Sequence, residues 1–339
     1  MAKWKVVVSD WEYADLRYEE KVLHHKDIQL VPAQCRTEEE VIAACKDADA
    51  IINQYAPITR KVLESLEKCR VITRYGVGVN TIDLNAATEK GICVANVPDY
   101  CKDEVADHAL ALLMACTRKI VKCNHHVKSG VWDFKISQPI YRLRGRTIGL
   151  VGFGMIPQSL SEKVKPLGLN VIVFDPYIPE EVVQEKGARL VSLDELCQQA
   201  DIISVHAPLT ESTRGMIGRR QFDLMKKGTF IINTSRGPVI DEGALIEALE
   251  NKKIAGAGLD VVETEPIQSN NPLLTFENVI LTPHVAWYSE ESAKEMRSKA
   301  AMGVVDVLLH GEYPKYLVNQ KVKEIVHLSS NQPERYFSL

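Results

Sequence analysis

The sequence lacks most of the features that mark a special environment. It has no basic block and no acidic tail, and 41 lysines and arginines against 45 aspartates and glutamates leave a net charge of −4. That balance argues against charge-driven binding to nucleic acid or to a membrane surface. No apolar run approaches the roughly 20 residues that a membrane span needs. The opening stretch MAKWKVVVSDWEY enters a charged, alternating strand within a few residues, so no secretory leader is expected. Eight cysteines are scattered without a C-x-x-C pair, and a chain this long does not need disulfide staples, so a reducing cytoplasm is the expected compartment. The CNHH cluster from Cys123 to His126 lies on a helical pattern with no second ligand pair in reach, so no metal site is expected.

What the sequence does contain is alternation. Short β-branched runs and helical patterns succeed one another almost from end to end, the signature of parallel sheets with helices packed on them. The first hundred residues supply KVVVSD, IQLVPA, DAIINQY, RVITRYG and GICVANV, five strands that make one open sheet. Thr37 and Glu40 stand at capping-box spacing before a helix. One long helical pattern, from Cys101 to Gly130, then carries the chain onward. After Gly145 come TIGLVG, NVIVFD, ADIISVH, GTFIINTS, IAGAGLD and NVILTPH, six strands that match a full dinucleotide-binding sheet. The final amphipathic helix, from Ser289 to Glu312, is expected to return to the first domain, so that the second is an insertion joined by two crossings suited to hinge closure. The fold class is therefore α/β, with two doubly wound parallel-sheet domains. The closing residues SSNQPERYFSL are expected to be a loosely held tail.

The stretch GLVGFGMIPQSL places Gly152 and Gly154 directly after a strand and before a helix, where a dinucleotide loop needs them. Pro157 occupies the third glycine position. Proline suits the first turn of a helix, where its missing N–H has no intrahelical partner, and the amides of Met155 and Ile156 remain available for phosphates. The next strand ends in Asp175, 18 residues beyond Pro157 (175 − 157). That is close to the roughly 20 expected for a carboxylate that binds the ribose hydroxyls. A 2′-phosphate would be repelled there, so NAD is expected rather than NADP.

Polar residues at the carboxyl ends of later strands fit one chemistry. Arg236 follows FIINTS, Asp260 ends GAGLD, Glu265 precedes Pro266, and His284 follows VILTP. Reduction of a 2-oxo acid needs a cation whose fork holds the carboxylate and polarises the carbonyl, which arginine supplies. It also needs an acid near neutrality to protonate the developing alkoxide. A carboxylate beside the imidazole, for which Glu265 is the candidate, would hold it in place and favour its protonated form. Asp260 is read as a second, more remote acidic influence.

The chain resembles the D-isomer-specific 2-hydroxyacid dehydrogenases over nearly its whole length, through RYGVGVNTIDL, LVGFGMI, FDPY, HAPLTESTRGMI, the run from Met225 to Pro266, and LTPHVAWYSEE. The last of these looks most like the branch containing the C-terminal-binding proteins. The resemblance implies a flavodoxin-like substrate (catalytic) domain, residues 1–101 and 291–325, an inserted Rossmann NAD-binding domain, residues 102–290, and a tail, 326–339. It places the catalytic set on Arg236, Glu265 and His284. It places NAD contacts on Gly152, Phe153, Gly154, Met155, Ile156, Asp175, Ala207, Pro208, Thr210, Thr234, Ser235 and Asp260. Substrate contacts fall on Arg74, Val77, Gly78 and Val79, with Trp287 walling the pocket. The implied function is NAD-dependent interconversion of a 2-oxo acid and a D-2-hydroxy acid by a homodimer. The alternative that the same branch implies is an NAD-binding sensor or corepressor with little turnover. Pro157 departs from the family pattern, and the chain ends without the regulatory domain of many phosphoglycerate dehydrogenases, which makes that substrate the less expected one.

Overall fold

Short β-branched segments pair in parallel throughout the computed structural model, which describes residues 2–328. They form two units, one running to Tyr100 and resuming at Ser289, the other spanning Cys101–Tyr288. The expected tail beyond 328 lies outside the described residues.

The first unit is built on β1 (Trp4–Val8), β2 (Ile28–Pro32), β3 (Ala50–Asn53), β4 (Val71–Arg74) and β5 (Cys93–Ala95), in the order β2-β1-β3-β4-β5. That order is the flavodoxin-like form of a doubly wound sheet. Val6, Val7 and Val8, the whole of β3, and Val71 and Ile72 are buried, as strands must be when helices cover both faces. The helix Glu38–Cys45 opens with the capping box foreseen at Thr37 and Glu40. At the carboxyl ends, the buried Asp10 accepts from the amides of Gln54, Tyr55 and Ala56 (3.1, 2.5 and 3.1 Å) and so fixes the turn after β3. After β4 the backbone turns at Gly76, whose φ of +109° only glycine adopts without strain. Leu317 bridges antiparallel to Ala95, the amide of Val318 donates to Val94, and Asn319 pairs with both Val94 and Ile92. The segment after the last helix therefore occupies the free side of β5.

The second unit carries β6 (Thr147–Val151), β7 (Asn170–Phe174), β8 (Arg189–Leu190), β9 (Ile202–Val205), β10 (Thr229–Asn233), β11 (Ile254–Leu259) and β12 (Val279–Leu281). The order β12-β11-β10-β9-β6-β7-β8 is the dinucleotide-binding arrangement with one strand more than the six expected. The unforeseen strand is β8, only two residues long, too short for any periodicity to declare it. The strand order reverses between β6 and β9, which opens a crevice at their carboxyl ends. The single helix expected from Cys101 to Gly130 is two, Lys102–Arg118 and Ile120–Lys128. Lys119 breaks the helix by adopting left-handed backbone with φ +53°.

Candidate active site

The turn after β6 lies at that crevice. Gly152 has φ +92°, and a Cβ there would stand 3.1 Å from the amide nitrogen of Ala207 at the end of β9. Only glycine lets the two strand ends approach so closely. Nothing lies within 4 Å of where a Gly154 Cβ would be, so the approach to the helix Met155–Val164 is open. No side chain caps that helix. The amides of Met155 and Ile156 have no intrahelical acceptor and present the positive end of the helix dipole. Pro157 is the third helical residue, and the first helical bond runs from the amide of Gln158 to Gly154 O (3.2 Å). The proline thus removes no helix bond. Asp175, at the end of β7, accepts from the amides of Phe153 (2.8 Å) and Tyr177 (2.9 Å), which locks its carboxylate beside the loop. Thr234 Oγ1, buried past β10, has no hydrogen-bond partner among the described residues. An open helix N-terminus, a fixed carboxylate and an orphaned hydroxyl are what a dinucleotide requires, and the residues fit one.

Arg236 sits one turn beyond β10 on a loop shaped by buried Asn233. The Asn233 amide donates to Arg236 O (3.0 Å), while its Oδ1 accepts from the backbone and hydroxyl of Ser235 (3.0 and 2.8 Å). Gly237 then packs against the chain after β11, where its missing Cβ would meet Val262 O at 1.9 Å. The Val262 amide donates to Glu265 Oε1 (3.3 Å), and Glu265 Oε2 lies 2.6 Å from His284 Nδ1. Burial alone would push the Glu265 carboxyl up. The hydrogen bond and charge of His284, the Val262 amide and the Arg236 charge outweigh it and hold the group below its usual range. His284 itself has left-handed backbone, φ +53°. Its amide donates to Asp260 O (2.9 Å).

Asp260 does something the sequence did not reveal. Its carboxylate is 2% exposed and accepts from Thr282 Oγ1 (2.6 Å), Val285 N (2.9 Å) and Ala286 N (2.9 Å). It clamps the turn that carries His284. His108 pairs with Thr282 Oγ1 at 2.9 Å and completes the clamp. A histidine inside a helical run gave no signal of this. Ala207, Pro208 and Thr210 form a turn tied by Thr213, whose hydroxyl donates to Pro208 O (2.6 Å) and accepts from Thr210 N (2.7 Å). Near that turn, burial pushes His206 down to about 3, so its imidazole is uncharged at neutral pH. Trp287 is half-buried and meets Tyr288 edge-on at 5.4 Å.

In the first unit, Arg74 donates from Nε to Gln54 O (3.2 Å) and lies 5.9 Å from the Tyr55 ring centroid. Val77 and Gly78 follow Gly76 on a loop held by Asn96, whose amide donates to Val77 O (2.6 Å). Among the described residues no group of three or more histidine, cysteine, aspartate or glutamate side chains is placed to hold a metal ion.

Residues 110–286 match the family described as D-isomer specific 2-hydroxyacid dehydrogenase, NAD binding domain. The chain is 45% identical over 285 residues to a D-3-phosphoglycerate dehydrogenase from Methanocaldococcus jannaschii, covering 84% of this chain and 54% of that protein. It spans about half the length of that relative. Against a glyoxylate reductase from Korarchaeum cryptofilum the identity is 38% over 310 residues, covering 90% of this chain and 93% of the other. A solved structure of D-lactate dehydrogenase from Aquifex aeolicus, complexed with NAD and lactic acid, matches with a TM-score of 0.81 at 30% identity, covering 91% of this chain and 96% of that one.

Proposed function

Because this chain belongs to the D-isomer-specific 2-hydroxyacid dehydrogenase family, we propose that it is an NAD-dependent oxidoreductase interconverting a 2-oxo acid and its D-2-hydroxy acid. The observation that carries the reading is the 2.6 Å contact between His284 Nδ1 and Glu265 Oε2, on a loop packed against the one bearing Arg236. Bound at the Gly152–Ile156 turn, the nicotinamide cofactor supplies or takes up the hydride. Arg236 offers a planar fork that holds the substrate carboxylate and polarises its carbonyl. With Nδ1 engaged by Glu265, His284 uses Nε2 to give a proton to the carbonyl oxygen, or to take one from the hydroxyl in the reverse direction. Asp260 acts on substrate only through the turn it clamps. Arg74, Val77, Gly78 and Val79 are assigned to the substrate carboxylate, and Trp287 to the substrate side chain.

Asp175 meets the adenosine ribose in this reading and disfavours a 2′-phosphate. The test is oxidation of NADH and of NADPH with glyoxylate, hydroxypyruvate, phenylpyruvate and 4-methylthio-2-oxobutyrate. Turnover well above background with at least one acid, faster with NADH, is expected. Tight NADH binding with no turnover on any acid would overturn the enzyme and leave a dinucleotide sensor.

The Glu265–His284 pair also has a pH signature. Because the Glu265 carboxyl titrates lower in the folded chain than in the unfolded one, its stabilising contribution is full above the ordinary glutamate range. It is lost as pH falls through the lowered folded value. Melting temperatures of the wild type and Glu265→Gln are therefore expected to differ at neutral pH and to converge on acidification. A gap that stayed constant to low pH would contradict the pairing.

A homodimer is proposed from surface chemistry in the second unit. Ile120, Val121, Val127, Trp132, Phe134 and Tyr141 are exposed along one short stretch, Trp132 at 89%. A groove of about 1000 Å³ lined by Tyr141, Leu143, Phe230 and Ile254 lies beside it. Exposed apolar area of this kind marks an association surface, and a second copy is the proposed occupant. Trp132→Glu is expected to shift the mass measured by light scattering from dimer to monomer. An unchanged mass would place the interface elsewhere. Among the described residues no helix is long and apolar enough to cross a membrane, and all eight cysteines are free. The free thiols support placing the reaction in the cytoplasm.

A further inference from the structure

The first unit buries an ion pair that no step of the proposed reaction uses. Glu19, in the helix Arg17–Val22, and Arg297, in the helix Glu290–Val305, are 0% and 4% exposed. Arg297 Nε donates to Glu19 Oε1 (2.8 Å) and Nη2 to Oε2 (2.6 Å), a two-point contact. The guanidinium also lies 4.6 Å from the Tyr13 ring centroid and 4.7 Å from that of Tyr18. A third member joins them. The Tyr75 hydroxyl donates to Glu19 Oε1 at 2.8 Å, and the Tyr75 ring meets Tyr13 edge-on at 5.6 Å.

A buried pair of this kind adds little stability over well-packed apolar side chains of similar volume, which often do as well or better. Holding two helices together therefore does not account for it. What apolar side chains would not provide is a directional anchor at Tyr75. That residue stands between Arg74 and Gly76, at the root of the loop assigned to the substrate carboxylate. Gly76 O accepts from Val97 N (2.9 Å) and Val77 O from Asn96 Nδ2 (2.6 Å), so the far side of the loop is already tied. On the near side the Tyr75 amide donates to Asn53 O (2.9 Å), and the Tyr75 side chain adds the second tie, its hydroxyl on Glu19. Burial first, then the Glu19 charge, pushes the Tyr75 hydroxyl up, so it keeps its proton and donates.

We propose that Glu19, Arg297 and the Tyr75 hydroxyl form a buried positioning network that fixes the Gly76–Val79 loop for the substrate's carboxylate. None of the three touches substrate, and the inference rests on the dehydrogenase reading above. Two variants separate positioning from mere structure. Tyr75→Phe removes the anchor and leaves the ion pair. The double variant Glu19→Met with Arg297→Leu replaces the pair by apolar side chains, removes the acceptor of the Tyr75 hydroxyl and leaves no lone buried charge.

In both, KM for the 2-oxo acid is expected to rise roughly tenfold, the scale of one hydrogen bond to a charged group, with kcat and NADH affinity little changed. Amide hydrogen exchange across residues 76–80 should quicken by a similar factor, while β4 and β5 keep their protection. Wild-type KM and exchange in a stably folded double variant would overturn the proposal, as would unaltered exchange in Tyr75→Phe. If the wild type reduces no 2-oxo acid at all, the dehydrogenase reading fails. The exchange measurement then still decides whether the network holds the loop.

Discussion

Replacing His284 with asparagine is expected to lower kcat by between about 100- and 10,000-fold, the range that a positioned acid–base group contributes, while NADH still binds. Asparagine is the informative choice because the backbone at this position is left-handed, φ +53°. Asparagine tolerates that region, whereas glutamine or alanine would add strain of their own and blur the result. Single-turnover rates with saturating NADH, alongside a fluorescence titration of the cofactor, separate chemistry from binding. A rate within a few-fold of wild type would mean another group delivers the proton. His206 is a poor substitute, since burial keeps it neutral. His108 is occupied with Thr282.

Gly237→Ala is expected to be the most damaging substitution outside the reacting groups. Its Cβ would stand 1.9 Å from Val262 O, 2.0 Å from Val262 C and 2.6 Å from Glu263 N. All three are backbone atoms, so no side-chain rotation relieves the clash. The loop bearing Arg236 and the loop bearing Glu265 must separate. Displacements near 1 Å in such a constellation cost about 100-fold in rate, and overpacking of this kind costs roughly 1–3 kcal/mol in stability. A fall in kcat/KM of at least that order is therefore expected, with a lowered melting temperature. Gly243→Ala is the matched control, because its Cβ would find only Asp241 Oδ1 at 3.4 Å, an ordinary contact. Activity of Gly237→Ala close to that of Gly243→Ala would show that the two loops are not held this tightly.

Much of this arrangement is readable before any coordinates. The class of the fold shows in the β-branched runs, because strands covered on both faces must be nearly continuous in apolar residues. The turn at Gly152 shows because its positive φ and the close approach of Ala207 demand glycine. Asp175 shows by its distance along the chain. Other features are invisible for physical reasons. The strand Arg189–Leu190 is too short to have a period. The break at Lys119 replaces a residue that should propagate a helix with a left-handed one, a tertiary choice that overrides local propensity. The need for glycine at 237 arises from a neighbour 25 residues away (262 − 237), since its own φ is not in the left-handed region. Asp260 is evident as a carboxylate at a strand end. Only the folded chain shows its oxygens taken up by Thr282, Val285 and Ala286.

The residues that follow the last helix shield more than they decorate. With Leu317, Val318 and Asn319 in place, the outermost strand of the five-stranded sheet has its backbone groups satisfied along one side. Deleting the chain from Leu317 onward would uncover a bare strand margin, the kind of template that recruits other chains into aggregates. Tags and fusions therefore belong after residue 328, and shortened versions of the protein should keep everything up to Val322.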